Sequence, residues 1–292
     1  MKIRTYHFLI ILIFIGCSRK EKDISDYDEL FYEGMIQYKD HNYQNALSKF
    51  EKAIRILPND ANSIYLYAAA SAFHLEKNEK AKNLIIESIH QTNTNQAYLN
   101  SFVEFQNFKD NKIFESINSN YEKHIETFEK NVNHPEIYAQ LDSLIAVDQK
   151  VRTDGTPFNE IAKVDSSNVQ KLIEITERYG WKDKGWLILW HQRMKYDQDN
   201  WVWNYFRPII NEEIKKGNVR KSFWAQFEEF KNIAENKYQE YGLYPHNFDT
   251  YPLKDPKKVD LKRDSVNLPP LWIMNKVHGW PLPNNYKKNY SL

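Results

Sequence analysis

The sequence predicts a mainly α-helical protein, and three observations support that prediction. Glycine is scarce, with 8 in 292 residues, whereas a turn-dense β-sandwich needs many more. Aromatic residues make up 15% of the chain, which is too many for a disordered protein. Residues 27–60 space their small and large apolar side chains as two packed helices would. We therefore expect short amino-terminal helical hairpins, then an aromatic-rich helical domain with an irregular, proline-rich carboxy-terminal tail.

Residues 1–16 have the pattern of an export signal. A basic start precedes eight apolar residues, 8–15, whereas a membrane-spanning helix needs about 20. The segment Phe14-Ile15-Gly16-Cys17 resembles the lipobox of bacterial lipoproteins, with Phe14 in place of the usual leucine. This resemblance implies cleavage before Cys17 and two or three acyl chains that attach the protein to a membrane. The alternative is an incidental cysteine in an ordinary leader.

Residues 17–26 are expected to be the lipidated cysteine and a short solvated tether. Ser18 implies sorting to the outer membrane, by analogy with enteric bacteria. The charged run that follows also fits a surface-export signal, so the periplasmic or surface-exposed orientation stays open. Cys17 is the only cysteine in the chain, which excludes an internal disulfide and a cysteine-rich zinc site.

The segment 27–132 contains the predicted hairpins. In its first 34 residues, small side chains recur where two helices approach closely, large ones fill the remaining face, and a proline follows. This pattern resembles a tetratricopeptide repeat, and the matching residues are Gly34, Tyr43, Ala46, Phe50, Ala53 and Pro58. A weaker unit follows over 61–94, and a third helix pair, 96–131, resembles a capping pair. The alternative is a set of generic helical hairpins.

Helical repeats commonly hold a peptide or a protein on a concave face, so we expect such a partner here. The aromatic residues that either line this face or serve as core are Tyr32, Tyr38, Tyr65 and Tyr67.

A second domain is predicted from residue 133 to residue 292. All eight tryptophans lie at or beyond Trp181, and a proline-rich segment begins at Pro245. The apolar pattern predicts helices over 136–152, 166–179, 182–196, 201–216 and 221–241. From Pro245 onward we expect an extended segment wrapped on these helices.

Several polar residues of this domain fall where the helical period expects apolar ones. Asp148 and Arg152 continue the apolar stripe of the first helix and form an i,i+4 pair. His191 shares a face with Trp190 and Met194, which predicts that the histidine points inward. Asp165 precedes a predicted helix, and we expect it to cap that helix.

These residues belong to an ordered set of short motifs. The set comprises Asp148-Gln149-x-x-Arg152, Asp165-x-x-Asn168, Tyr179-Gly180-Trp181, His191, Gln239-x-Tyr241-Gly242 and Asp260-x-x-Arg263. It resembles an uncharacterised family of bacterial domains that often follow repeats or lipoprotein leaders. Where that family has an Asp-Arg pair, this chain has Glu229-Phe230, and Leu243-Tyr244 follows Tyr-Gly in place of Thr-Gln.

Two functions remain open. The first is a binding module, non-catalytic and anchored in the envelope, whose polar pocket is formed by Arg152, Gln149, Asn168, Gln239, Tyr241 and Arg263. The second is an enzyme of unassigned reaction, a hydrolase or transferase, with His191 as proton carrier beside Asp148 and Arg152. The alternative to both is a buried polar network that stabilises an aromatic core.

Other chemistries lack support in the sequence. With 40 basic and 39 acidic residues, the chain has no charge excess that would favour nucleic acid. No glycine-rich phosphate loop, Gly-x-Ser-x-Gly elbow or His-Glu-x-x-His helix is present. His246, Asp249 and Asp255 match no metal spacing. We therefore expect no cofactor and no metal.

Overall fold

The computed structural model is mainly α-helical, as the sequence predicts. It describes the backbone of residues 11–108 and 112–288, and the side chains of 24–108 and 112–288. The predictions on the leader, on Cys17 and on residues 18–23 of the tether fall on side chains outside the described residues. In the described part no strand forms, and the only extended pairing is an isolated bridge between Gln239 and Leu253.

The chain divides into two compact units. The first, called here the hairpin unit, comprises Lys22–Asn133 together with Pro269–Leu292. The second, called the tryptophan-rich unit, contains His134–Leu268. The proline-rich tail is thus not one segment wrapped on the second domain: its last part packs with the hairpins. Ile273 and Val277 are buried in the same apolar core as the hairpin helices, which explains this placement.

The helices of the hairpin unit follow one another with short turns between them. They are α1 (Ile11–Lys39), which belongs to this unit from Lys22 onward, α2 (Tyr43–Ile56), α3 (Asn62–His74), α4 (Asn78–Thr92), α5 (Gln96–Ser101), α6 (Lys112–Ser119) and α7 (Tyr121–Asn131). A 3-10 helix, Val103–Phe108, lies between α5 and α6. The helix α2 ends at Ile56, just before Pro58, as the sequence predicts.

Helix α3 is apolar around most of its circumference and is buried on nearly every face. From Ile64 to Phe73 only Tyr67 is partly exposed. Helix α2 packs on one side of α3, helix α4 on another, and the 3-10 helix Val103–Phe108 also contacts it. A helix with apolar residues all round requires such enclosure.

The tryptophan-rich unit also consists of helices. They are α8 (Pro135–Thr153), α9 (Phe158–Tyr179), α10 (Trp186–Trp190), α11 (Trp201–Lys215), α12 (Phe223–Asn236) and α13 (Val259–Asp264); α14 (Leu271–His278) belongs to the hairpin unit. Their core combines the aliphatic stripes of α8 and α9 with aromatic side chains such as Trp203, Phe206 and Phe227.

Three predictions about these helices are wrong. The single helix expected over 182–196 is instead a 3-10 turn, the short helix α10 and a second 3-10 turn, Arg193–Lys195. Met194, expected to face inward, is 68% exposed because it lies in that second turn. The tail from Pro245 was expected to be extended, yet it contains the helices α13 and α14, and α14 buries an apolar face.

Candidate functional site

The predicted pair on α8 forms and is buried as expected. The side chain of Asp148 is only 1% exposed, and its Oδ1 lies 3.1 Å from Nη1 of Arg152. The same Nη1 donates a hydrogen bond to the Asp148 carbonyl oxygen at 2.8 Å. Asp148 follows Ile137, Leu141 and Leu144 on the buried stripe of α8, which is why helix geometry turns it inward.

Asp165 is a partner of this pair and not the helix cap that the sequence predicts. Helix α9 begins at Phe158, after Pro157, so Asp165 lies two turns inside it. Its Oδ1 accepts a hydrogen bond from Nη2 of Arg152 at 2.5 Å. The short α8–α9 loop, in which Asp154 accepts hydrogen bonds from Thr156, leads directly from one helix into the next. Arg152 therefore joins α8 to α9.

His191 completes the group, which we call the Asp148 cluster: Asp148, Gln149, Arg152, Asp165 and His191. The histidine ends α10, and its side chain is 15% exposed. Its Nε2 lies 3.2 Å from Oδ2 of Asp148, and its Nδ1 accepts a hydrogen bond from Nε of Arg152 at 3.1 Å. Of the residues expected in one polar pocket, the structure brings Asp148, Arg152 and His191 together.

The geometry determines which nitrogen of His191 carries the proton. An arginine nitrogen can only donate, so Nδ1 must be the accepting nitrogen. The neutral ring then carries its proton on Nε2 and donates it to the Asp148 carboxylate. Both ring nitrogens therefore contact groups inside the cluster.

The carboxylate of Asp148 is stabilised in its charged form. Burial by itself raises its pKa, but hydrogen bonds from His191 and Gln149 and the charge of Arg152 outweigh it, so the pKa lies below the ordinary 3.8. Gln149 Nε2 donates to Oδ2 at 2.7 Å. The buried Oδ1 is close to Arg152 but accepts no well-aligned hydrogen bond. An ionised Asp148 is thus held by charge as well as by hydrogen bonds.

Gln239, Tyr241 and Arg263, which the sequence also predicts as site residues, form a second group. Gln239 is fully buried; its amide donates to the carbonyl oxygens of Tyr244 and Tyr251 at 3.0 and 2.9 Å and accepts from the Tyr244 N–H at 2.9 Å. Arg263 Nη1 donates to the Tyr241 carbonyl oxygen at 2.6 Å. These contacts fold the segment 239–251 and give Gln239 and Arg263 a structural role.

Glu229 is central to this second group, and the sequence analysis assigned it no role. Its carboxylate is fully buried and accepts hydrogen bonds from the backbone N–H groups of Glu240, Tyr241 and Leu243. Burial raises the pKa of Glu229, and these N–H donors oppose that rise. Tyr241 in turn donates from its hydroxyl to Glu228 at 2.5 Å. The sequence has no periodic pattern that predicts a buried acidic side chain at this position.

Asn168 belongs to neither group by a short contact. It is 3% exposed, and its Nδ2 lies 3.5 Å from the Leu144 carbonyl oxygen, a distance at the limit for a hydrogen bond. Asn168 therefore sits at the contact between α8 and α9, so its role here is in packing.

Arg193 is the second residue that the sequence analysis missed. Its guanidinium carbon lies 4.6 Å from the Trp190 ring centroid and 4.7 Å from that of Phe230. Its Nη1 donates to the Trp190 carbonyl oxygen at 2.9 Å, while its buried Nε has no hydrogen-bond acceptor. An unsatisfied buried donor of this kind costs about 1–3 kcal/mol.

One cleft lies between α8 and α9, and a second lies along α9. The first, of about 390 Å³, is lined by Gln140, Ser143, Leu144, Lys171, Glu174, Ile175, Arg178 and Tyr179. The second, of about 570 Å³, shares Lys171 and Glu174 with it. None of the residues predicted as a site lines either cleft.

The aromatic residues considered for a concave face of the hairpin unit are largely core. Tyr38 is 4% exposed and donates to Glu104 at 3.0 Å, and Tyr65 is 2% exposed and donates to the Pro58 carbonyl oxygen. Tyr32 and Tyr67 are partly buried and pack on the same core. The large apolar side chains that remain exposed in the hairpin unit include Tyr98 and Val103.

Neither a metal site nor a membrane-spanning helix is found among the described residues. There, no three histidine, cysteine or acidic side chains are grouped as metal ligands. Across the same residues, no helix combines the length and the apolar content that crossing a bilayer requires.

No family model, curated protein or solved structure matches this chain. The resemblances to a lipoprotein leader, to tetratricopeptide repeats and to an uncharacterised bacterial domain therefore stay predictions from the residues alone.

Proposed function

We propose that this protein is a bacterial envelope lipoprotein, anchored in the outer membrane through Cys17, that acts as a binding module. The leader supports the anchor: a basic start, eight apolar residues and a glycine precede the only cysteine of the chain. Two or three acyl chains at that position give durable attachment, because a single chain binds a membrane only marginally.

The Asp148 cluster is the observation that carries the proposal of binding over catalysis. Asp148 and Arg152 engage the two ring nitrogens of His191, and no residue of the cluster lines either cleft, which favours binding over proton transfer to a substrate. The side chains of Arg152 and Asp165 are 20% and 19% exposed, so polar atoms of the cluster still reach the surface. A preformed, partly exposed polar surface of this kind suits recognition.

A protein or peptide partner is proposed for the hairpin unit. Tyr98 lies in α5, and Val103 is the first residue of the 3-10 helix that contacts α3. Both side chains are exposed, and Val103 is 68% exposed. Large apolar side chains that remain in water gain free energy when a partner covers them. We therefore assign the partner to this surface and not to the tyrosines of the core.

Cell fractionation tests the anchor. Cys17→Ser removes the thiol that would carry the lipid, so we expect the variant to move from the membrane fraction to the soluble fraction. Ser18→Ala is the matched control: it leaves the thiol in place and is expected to stay with membranes. Membrane retention of Cys17→Ser would refute lipid attachment.

Affinity capture from detergent-solubilised envelopes tests the partner surface. Val103→Asp places a charge on the proposed surface, and we expect it to abolish capture of the partner. Leu261→Asp is the control, because Leu261 is 54% exposed but lies in the tryptophan-rich unit. Equal capture by both variants and by the unchanged protein would contradict the assignment. If the unchanged protein converted a substrate and His191→Ala did not, that result would instead support an enzyme.

A further inference from the structure

Arg193 differs from the other charged residues near the Asp148 cluster in having no acidic partner. Within the described residues it forms no ion pair, whereas Arg152 is bound to both Asp148 and Asp165. Its one hydrogen bond goes to the Trp190 carbonyl oxygen, and its buried Nε has no acceptor. The guanidinium therefore keeps unused donors.

The position of Arg193 is nevertheless well fixed. The rings of Trp190 and Phe230 lie at similar distances from the guanidinium carbon, at 4.6 and 4.7 Å, and each is suited to hold a cation. The bond to the Trp190 carbonyl oxygen fixes the plane of the group. A guanidinium held in this way loses little further freedom when it binds a ligand.

Charged groups of both signs lie near Arg193. Burial lowers its pKa, Tyr244 and Asp165 oppose this effect, and the positive charge of Arg152 adds to it. Arg152 thus lies within electrostatic reach of Arg193. Since Asp165 is already hydrogen-bonded to Arg152, the charge of Arg193 is left without a direct counter-ion.

We propose that Arg193, which lies beside the Asp148 cluster, is the anion-binding residue of this surface. The ligand then bears an oxyanion, a carboxylate or a phosphate. The unused guanidinium donors match the acceptors of either group and supply the partner that the folded chain does not. This inference rests on the proposed binding function and names the chemistry of its ligand.

A second arginine of the same unit shows what a purely structural arrangement looks like. The Arg207 guanidinium lies 5.7 Å from the rings of both Tyr196 and Trp224, and it donates to the Tyr196 carbonyl oxygen. Among the described residues, Arg207 has no buried nitrogen without an acceptor. Arg207 is therefore a matched control for the loss of a charge stacked between two rings.

Titration of the full-length protein in detergent tests the proposal. Sodium phosphate and sodium acetate are the probes, sodium chloride at matched ionic strength is the control, and binding is measured by calorimetry and by tryptophan fluorescence. We expect millimolar binding of at least one oxyanion. Arg193→Met should weaken it by about tenfold or more, and Arg207→Met should leave it unchanged within about twofold.

The arms of the experiment separate the two ligand classes and the two proposals. Tighter binding of phosphate indicates a phosphorylated ligand, and tighter binding of acetate a carboxylate. Arg193→Lys keeps the charge and loses the planar fork, so we expect an intermediate affinity; it also provides a folded variant if Arg193→Met is unstable. Absence of binding to the unchanged protein, or equal weakening in Arg207→Met, would overturn the assignment. Neither result would affect the tests of Cys17 and Val103.

Discussion

The burial of Asp148 leads to a quantitative prediction for Asp148→Ala. The change removes the acceptor for Gln149 Nε2 at 2.7 Å and His191 Nε2 at 3.2 Å, and the charge 3.1 Å from Arg152. Breaking a fully buried pair costs about 3–5 kcal/mol. Arg152 and His191 are 20% and 15% exposed, so water compensates them in part. We therefore expect the free energy of unfolding to fall by about 2–3 kcal/mol.

Asp142→Ala is the matched control on the same helix. Asp142 pairs with Lys184 at 2.6 Å, but its side chain is 53% exposed. An exposed pair contributes at most about 1 kcal/mol, so this variant should lose no more than that. Urea unfolding followed by tryptophan fluorescence measures both variants, since six of the eight tryptophans lie in the tryptophan-rich unit. Equal losses in the two variants would refute the argument from burial.

The same variant has a defined dependence on pH. The pKa of Asp148 lies below its ordinary 3.8 in the folded protein. The charged form therefore stabilises the fold above that ordinary value, and this contribution is lost as the pH falls through the folded pKa. The stability difference between the unchanged protein and Asp148→Ala should accordingly be full at neutral pH and shrink below the ordinary value. If the stability difference between the two proteins grew as the pH fell, that result would contradict the lowered pKa of Asp148.

Two further changes test the helix contacts. In Gly34→Ala the new Cβ would lie 2.5 Å from a ring carbon of Phe50, so we expect the free energy of unfolding to fall by about 1–3 kcal/mol despite the better helix propensity of alanine. A second change, Phe50→Leu, should restore part of this loss. A Gly34→Ala variant more stable than the unchanged protein would refute the close approach. Asn200→Ala removes the side-chain cap of α11 and should cost about 1 kcal/mol in thermal or urea unfolding, whereas Asn42→Ala, at a helix start without such a bond, should cost less.

Much of the hairpin unit was predictable because its packing is local in sequence. The spacing of Gly34, Phe50 and Pro58 places a close helix contact and a helix end within one 34-residue stretch, and the structure has both. The packing of α14 on these helices was not predictable. Its apolar residues Ile273 and Val277 fit a helix, but no local pattern tells which distant core they enter.

The candidate site was predicted in part, for a related reason. Asp148 and Arg152 lie on one helix, so their spacing alone predicts the buried pair. Asp165 was wrongly predicted to be a cap because α9 begins at Phe158, eight residues before the predicted start at Ser166. That start depends on the turn after Gly155. The buried Glu229 accepts hydrogen bonds from the loop that follows α12, and Arg263 donates to the same loop; no periodicity encodes these contacts.

The sequence by itself therefore determined the helical class of this protein, the hairpin contacts and the inward direction of Asp148, since each follows from the helical period within a few turns. Tertiary structure alone decided which charged groups meet. It brought Asp165 and His191 to Arg152, enclosed Glu229 in backbone N–H groups and left Arg193 between two rings without a counter-ion. These contacts join residues of different helices and loops, and their energies depend on burial and on distances that only the folded chain defines.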